Sequence, residues 1–247
     1  MTRWSLLGVG LGAYAVSLVA TAPATLIDAV LREASNGRLR LAEAQGTIWS
    51  GAGQFEIRNA DARNGVAKNL GWRILPETLL RGHLVCEVVL DQSAKPFRVT
   101  LSLSRIELAE TDIDLPAEVL SIAAPKLAPL RLTGDARLHI VTLALGRSDV
   151  RGIATLQWLA AGSALTAVSP LGDYELRFEG DGTAVHTSLH TLRGPLQLDG
   201  SGSWTQGRNP VFHATARVPP QQRQQLAPLL RLIAVERRDG FFELELK

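Results

Sequence analysis

From Leu39 onward the apolar residues of this chain recur at every second position. Leu39 and Leu41 alternate with arginines, and Phe55 and Ile57 alternate with Gln54 and Glu56. The same period runs through Leu84–Leu90, Phe97–Leu103, Leu138–Leu143, Leu156–Trp158, Tyr174–Phe178 and Val185–Leu192. It continues through Leu196–Leu198, Phe212–Val218 and Phe242–Leu246. A period of two puts one set of side chains on each side of a strand, so each run has an apolar and a polar face. Turn signals separate the runs at Asn64-Gly65, Arg81-Gly82, Thr133-Gly134-Asp135 and Gly180-Asp181-Gly182. Strands of this length and spacing predict a mainly β body built on antiparallel sheet. Helical spacing is confined to Ala24–Glu33, to Pro116–Ile122 with Asp114 as its N-cap, and to an amphipathic stretch near 220–235.

The first residues obey a different pattern. No charged side chain occurs between Trp4 and Ile27. As a helix that run is about 36 Å long at ~1.5 Å per residue, enough for a hydrocarbon core of ~30 Å. Ala20-Thr21-Ala22 has the small side chains of a leader-peptide cleavage site, but Pro23 follows and fixes the backbone at the bond to be cut. Residues 1–27 are therefore expected to form a retained transmembrane anchor, with Trp4 at one interface. Charge does not fix its orientation. Arg3 precedes the run while Arg32, Arg38 and Arg40 follow it, and long domains translocate largely regardless of such charges. Gly8-Val9-Gly10-Leu11-Gly12-Ala13 imitates a dinucleotide-binding loop, but no strand precedes it and no βαβ unit follows.

Composition removes several classes of function. The net charge is +2 and the arginines are scattered, so no basic stripe is available for nucleic acid. Cys86 is the single cysteine, which excludes an intrachain disulfide and a cysteine-based zinc site. His186 and His190 have a zinc-like spacing only on a helix; in a strand they stand about 13 Å apart. His83, His139 and His213 each stand alone in alternating runs. The carboxylate pair Asp112/Asp114 is explained by helix capping, and Glu107/Glu110 has no partner base nearby in sequence. No nucleophile elbow or phosphate-binding loop is present. The residues predict no catalytic, cofactor-binding or metal site, and hence no enzyme.

A weak internal repeat relates Leu39-Arg40-Leu41, Trp72 and Cys86-Glu87-Val88-Val89 to Leu130-Arg131-Leu132, Trp158 and Tyr174-Glu175-Leu176-Arg177. It divides the body in the proline-rich stretch around Pro125, into β-rich halves at 28–124 and 125–247 that could form a curved groove or a sandwich.

Four groups of glycine, proline and aromatic residues follow one another in a distinctive order. They are Gly46-Thr47-Ile48-Trp49-Ser50-Gly51; Leu70-Gly71-Trp72 through Pro76 to Gly82; Pro170-Leu171-Gly172-Asp173-Tyr174; and Arg193-Gly194-Pro195 with Gly200-Ser201-Gly202-Ser203-Trp204. Glycines here permit sharp turns, and Trp49 is expected to lie over a glycine-lined surface while Trp204 covers the glycines before it. Together the groups resemble the type II secretion system protein N family, over residues 1–90 and 165–235. The resemblance implies a single-pass protein of the inner membrane with its body in the periplasm. It implies a non-enzymatic accessory role in export of folded proteins across the outer membrane. Its partners would be inner-membrane platform proteins or the outer-membrane secretin, reached through exposed strand edges. An alternative is a membrane-anchored groove that binds lipid between aliphatic strand faces; a secreted glycan-binding module would require loss of the first 22 residues.

Overall fold

The computed structural model describes residues 3–58, 65–91, 95–205, 211–238 and 241–246. Two helices open the chain, α1 (Arg3–Ala20) and α2 (Thr25–Ala34), and strands β1 (Leu39–Gly46), β2 (Ser50–Arg58), β3 (Gly65–Leu75) and β4 (His83–Leu90) follow. Then come β5 (Phe97–Ser102), β6 (Arg105–Pro116), α3 (Glu118–Ala123), β7 (Leu132–Gly146), β8 (Val150–Ser163), β9 (Gly172–Asp181) and β10 (Ala184–Arg193). The chain ends with β11 (Gln197–Thr205), β12 (Val211–Arg217), α4 (Arg223–Ile233), β13 (Val235–Arg238) and β14 (Phe241–Leu246). The expected mainly β, antiparallel architecture with a few short helices is what forms.

Two compact units divide the chain, Met1–Arg98 and Val99–Lys247. The division expected near residue 125 is spanned by pairing of β6 with β7, which joins Pro116 to Asp135 and Arg105 to Gly146.

In the first unit, β1 to β4 pair in chain order, each antiparallel to the next. α2 lies against β1 because its inward positions are apolar. Ile27 and Leu31 pack on a small core of Ala24, Leu41 and Trp72. Between β3 and β4 the chain makes a 3-10 turn that starts at Pro76 and ends at Gly82, whose φ of 77° is left-handed. Glycine takes that conformation without a Cβ clash. Asn64, half of an expected turn, lies outside the described residues.

α1 is shorter than the uncharged run in the sequence. Its last helical residue is Ala20, and Pro23 prevents continuation into α2. Among the described residues no helix is long and apolar enough to cross a membrane.

In the second unit the order is β6 to β12 in sequence, then β14 and β13. Its main core gathers Leu130, Leu132, Leu171, Leu196, Ala216, Val218, Leu226, Leu229, Leu230 and Phe242. α4 supplies three of these at a helical spacing of three and four, as its amphipathic pattern predicts. Two local expectations give way. Asp114 is no helix cap: it lies in β6 and its Oδ1 accepts from Arg137 Nε at 2.7 Å, while the residue before α3 is Ala117. Thr133-Gly134-Asp135 is no hairpin turn but a bulge inside β7, with Gly134 at φ 111° where an added Cβ would stand 2.6 Å from the Leu159 carbonyl oxygen.

Candidate functional site

In the first unit the signature residues form a clasp around the joint between α1 and α2. In a regular helix the Val19 carbonyl accepts from the N–H of residue 23, but Pro23 has none. The Val19 oxygen instead accepts the indole N–H of Trp49 at 2.9 Å, alongside a long 3.4 Å bond from the Ala22 amide. The main chain tightens the same joint. Ile48 N–H donates to Ala22 O at 2.9 Å, and Ala24 N–H donates to Gly46 O at 3.1 Å. On its other side the Trp49 carbonyl accepts from the Ile74 amide at 2.6 Å. Trp49 therefore does not cover a glycine surface; it bridges α1 and β3.

Trp72 occupies the role expected of Trp49. Its ring packs on Gly51, where an added Cβ would stand 2.5 Å from Trp72 Cζ2. Its indole N–H points at the Thr47 and Ile48 carbonyls, at 3.3 and 3.2 Å. Gly46, at φ 93°, has the direction of a Cβ closed by the Ser50 carbonyl, so no other residue fits without strain.

Asp28 completes this region and stands outside every motif singled out in the sequence. Its Oδ1 accepts from the Leu41 amide at 2.8 Å, and the Leu39 amide donates to Ser35 Oγ at 2.8 Å. Both amides point away from β2, so α2 satisfies the outer edge of β1 and removes it as a strand-pairing template. A signal existed in the sequence: Asp28 is the one acidic residue among the helix positions that turn toward the strands.

The second group of signature residues builds a close backbone crossing. Gly172 and Gly194 meet so tightly that a Cβ on Gly194, at φ 128°, would stand 2.3 Å from Gly172 Cα. Pro170, joined to Ser169 by a cis peptide, leads into it. Tyr174 Oη donates to the Leu196 carbonyl at 2.9 Å, and burial raises the phenol above its ordinary range. Asp173 Oδ1 accepts the Ala160 amide at 2.7 Å while Oδ2 pairs with Arg193 Nε. These bonds, the backbone amide first, hold the Asp173 carboxyl below its ordinary pKa. The tyrosine ring also rests against Trp158, with ring centres 5.6 Å apart.

Strand registers in the second unit give its sheet one continuous apolar face. Across β6 to β12 one row reads Leu115, Ala136, Trp158, Tyr174 and Thr191, whose hydroxyl bonds the Leu198 backbone, and then Leu198 and Ala216. The next reads Ile113, Leu138, Leu156, Leu176, Leu189, Gly200 and Ala214; the third reads Thr111, Ile140, Ala154, Phe178, Thr187, Gly202 and Phe212. Gly200 and Gly202 let β12 approach: a Cβ on either would stand 2.7 Å from Ala214 Cβ or Phe212 Cδ2. Trp204 does not cover them. It is 43% exposed at the far end of β11 and lines a cavity of about 150 Å³ with Val150, Val185 and Gly182.

The opposite face is polar and paired. Gln157 Nε2 donates to Glu175 at 3.0 Å, His139 meets Asp112 at 2.7 Å and His190 meets Asp199 at 3.2 Å. His186 has its own carboxylate, Asp181, at 3.8 Å, so the two histidines are held apart. Among the described residues no cluster of histidine, cysteine and carboxylate has the composition of a metal site. Cys86 sits half-buried beside the first unit's core, where burial raises its thiol pKa.

Comparison with known families bears on these sites together. The model for type II secretion system (T2SS), protein N matches residues 37–245, which takes in the clasp strands, the glycine crossing and the apolar face. Neither a curated protein nor a solved structure matches the chain.

Proposed function

Because the chain belongs to the type II secretion system protein N family, we propose that it is a membrane-tethered, non-enzymatic accessory component of the secretion machinery. In this reading α1 enters the inner membrane and the β body works in the periplasm, where it contacts platform proteins or the secretin. The observation that carries it is the clasp. A helix whose described large side chains are open to the surroundings, Val9 and Leu11 each at 71%, is bound to a β unit through Trp49, and two main-chain bonds hold the joint that follows it. An apolar helix held this firmly suits a tether. At 18 residues α1 is about 27 Å long, short of a hydrocarbon core of ~30 Å, so it enters the bilayer without being long enough to cross it alone. Contact through the edge of β1 is disfavoured, since Asp28 and Ser35 already occupy it. The paired polar sheet face of the second unit is the better partner surface.

The reading is tested by deleting the gene at its native locus and following exported enzymes. They should accumulate in the periplasm; export at the parental rate rejects the assignment. A carbonate wash separately tests the tether, because the full-length chain should stay with the membrane pellet.

A second reading is favoured by the apolar face of β6 to β12: lipid bound along the second unit. Leu138, Leu156, Leu176 and Phe178 on this face are half-buried, and apolar side chains of this kind line ligand sites in many proteins. Replacing Phe178 by a photo-crosslinking phenylalanine in intact cells distinguishes the two. Lipid adducts support this reading, whereas protein adducts alone favour the first.

A further inference from the structure

We infer that α2 lies in the membrane interface, where Leu26, Ala29 and Val30 meet lipid and Arg32 and Arg38 meet anionic headgroups. The inference rests on the reading of α1 as a tether, and it assigns a lipid-contacting surface to the β body's own helix.

Two neighbouring faces of α2, about 100° apart around the helix, carry it. Ile27 and Leu31 turn inward and pack on Leu41 and Trp72. Leu26 and Val30, four apart on another side of the helix, are 49% and 65% exposed. Single exposed aliphatic residues are ordinary, but here Thr25, Ala29 and Arg32 are exposed beside them. The outward surface therefore begins apolar and ends charged, at Arg32 and Glu33. An interfacial helix has this character: an apolar patch bordered by basic residues.

The clasp supplies the location. Ala20 ends α1 and Leu26 follows six residues later, so the two are separated by at most about 21 Å of extended chain. The actual path is tighter, because Ala22 and Ala24 are hydrogen-bonded to Ile48 and Gly46. Trp49, bonded to the end of α1, brings an amphipathic ring to the level where tryptophans collect at membrane surfaces. Arg32 and Arg38 are both exposed, and each arginine near an anionic surface adds attraction that salt weakens. Arg40 is excluded from this set because it pairs with Asp28 at 3.6 Å. Trp49 thus sits at the end of α1, and the exposed Leu26, Val30, Arg32 and Arg38 follow it on and just beyond the next helix.

The test uses the full-length chain in nanodiscs of phosphatidylcholine and phosphatidylglycerol, with Cys86→Ser and single spin labels placed at Val16, Leu26, Val30 or Glu33. Collision with oxygen, which concentrates in lipid, is compared with collision with an aqueous nickel reagent. Labels at positions 26 and 30 should favour oxygen several-fold over the label at position 33. Nickel access at 26 and 30 equal to that at 33, with position 16 in lipid, overturns the inference and leaves the tether standing. Nickel access at position 16 as well overturns both. Circular dichroism of each labelled chain checks that the sheet is intact. Charge is tested separately with Arg32→Glu/Arg38→Glu, which should reduce the oxygen preference at position 30 in the anionic discs and leave it unchanged in pure phosphatidylcholine. No change in either disc removes the headgroup contact.

Discussion

The two units solve the same problem in opposite ways. Each carries an apolar sheet face and an amphipathic helix. In the first, α2 spans the edge of β1 and a small core forms around Leu41 and Trp72. In the second, α4 closes one end of the sheet over a larger core, while the face beyond it stays lined by half-buried aliphatic residues. The tryptophans differ accordingly. Trp49 and Trp72 hold elements together through indole hydrogen bonds; in the second unit Trp158 does the same toward the Thr133 carbonyl, whereas Trp204 borders a cavity. A short helix can thus serve either to finish a strand edge or to plug the end of a sheet.

The largest expected effect lies at the plug. Leu226 is fully buried among the residues α4 covers, so Leu226→Ala should cost about 2–5 kcal/mol and be read in the denaturant midpoint of the full chain. A loss below ~1 kcal/mol would mean that α4 contributes little to the second core. Next is the clasp. Trp49→Phe keeps a ring and removes the donor to Val19, at about 0.5–1.5 kcal/mol. Hydrogen exchange should accelerate at the Ile48 and Ile74 amides, which flank the bridge, and unchanged protection there would show that the main-chain bonds suffice.

A pH effect separates the units further. Asp173 binds its proton less readily in the folded chain than in the unfolded one, through the Ala160 amide and Arg193. The stability this confers is complete above the unfolded value of ~3.9 and is lost as pH falls through the lower folded value. Asp173→Asn should therefore flatten part of the acid limb of the stability curve and lower stability at neutral pH. An unchanged acid limb would remove Asp173 as its source. The smallest effect belongs to the polar face, where Arg137→Ala breaks an exposed pair with Asp114 and should leave the midpoint unmoved. A clear shift would make that face a structural element rather than a surface available to partners.

Much of this architecture was legible because alternation reports which side of a strand is buried. Most strands follow from it directly, and the spans of α2 and α4 follow from the helical spacing of their apolar residues. β6 escaped because Glu110 adopts φ 46° and interrupts the apolar series of Ile106, Leu108, Thr111, Ile113 and Leu115. Its paired acids then suggested a helix start. Gly134 misled in the same manner, since a bulge and a turn use the same residue types. At the candidate site, the glycines expected to form turns include Gly51, Gly172 and Gly194, which stand where other backbone or an indole ring approaches closely. Which tryptophan packs on Gly51 and which reaches Val19 depends on register between strands far apart in sequence, and no local pattern encodes that.

Proline at position 23 has a mechanical corollary. By denying α1 its final hydrogen bond, it leaves an oxygen that Trp49 takes up, so the joint is rigid where a slack linker would otherwise be expected. A twist or tilt imposed on α1 is therefore delivered to the first β-hairpin as torque instead of being dissipated along the chain.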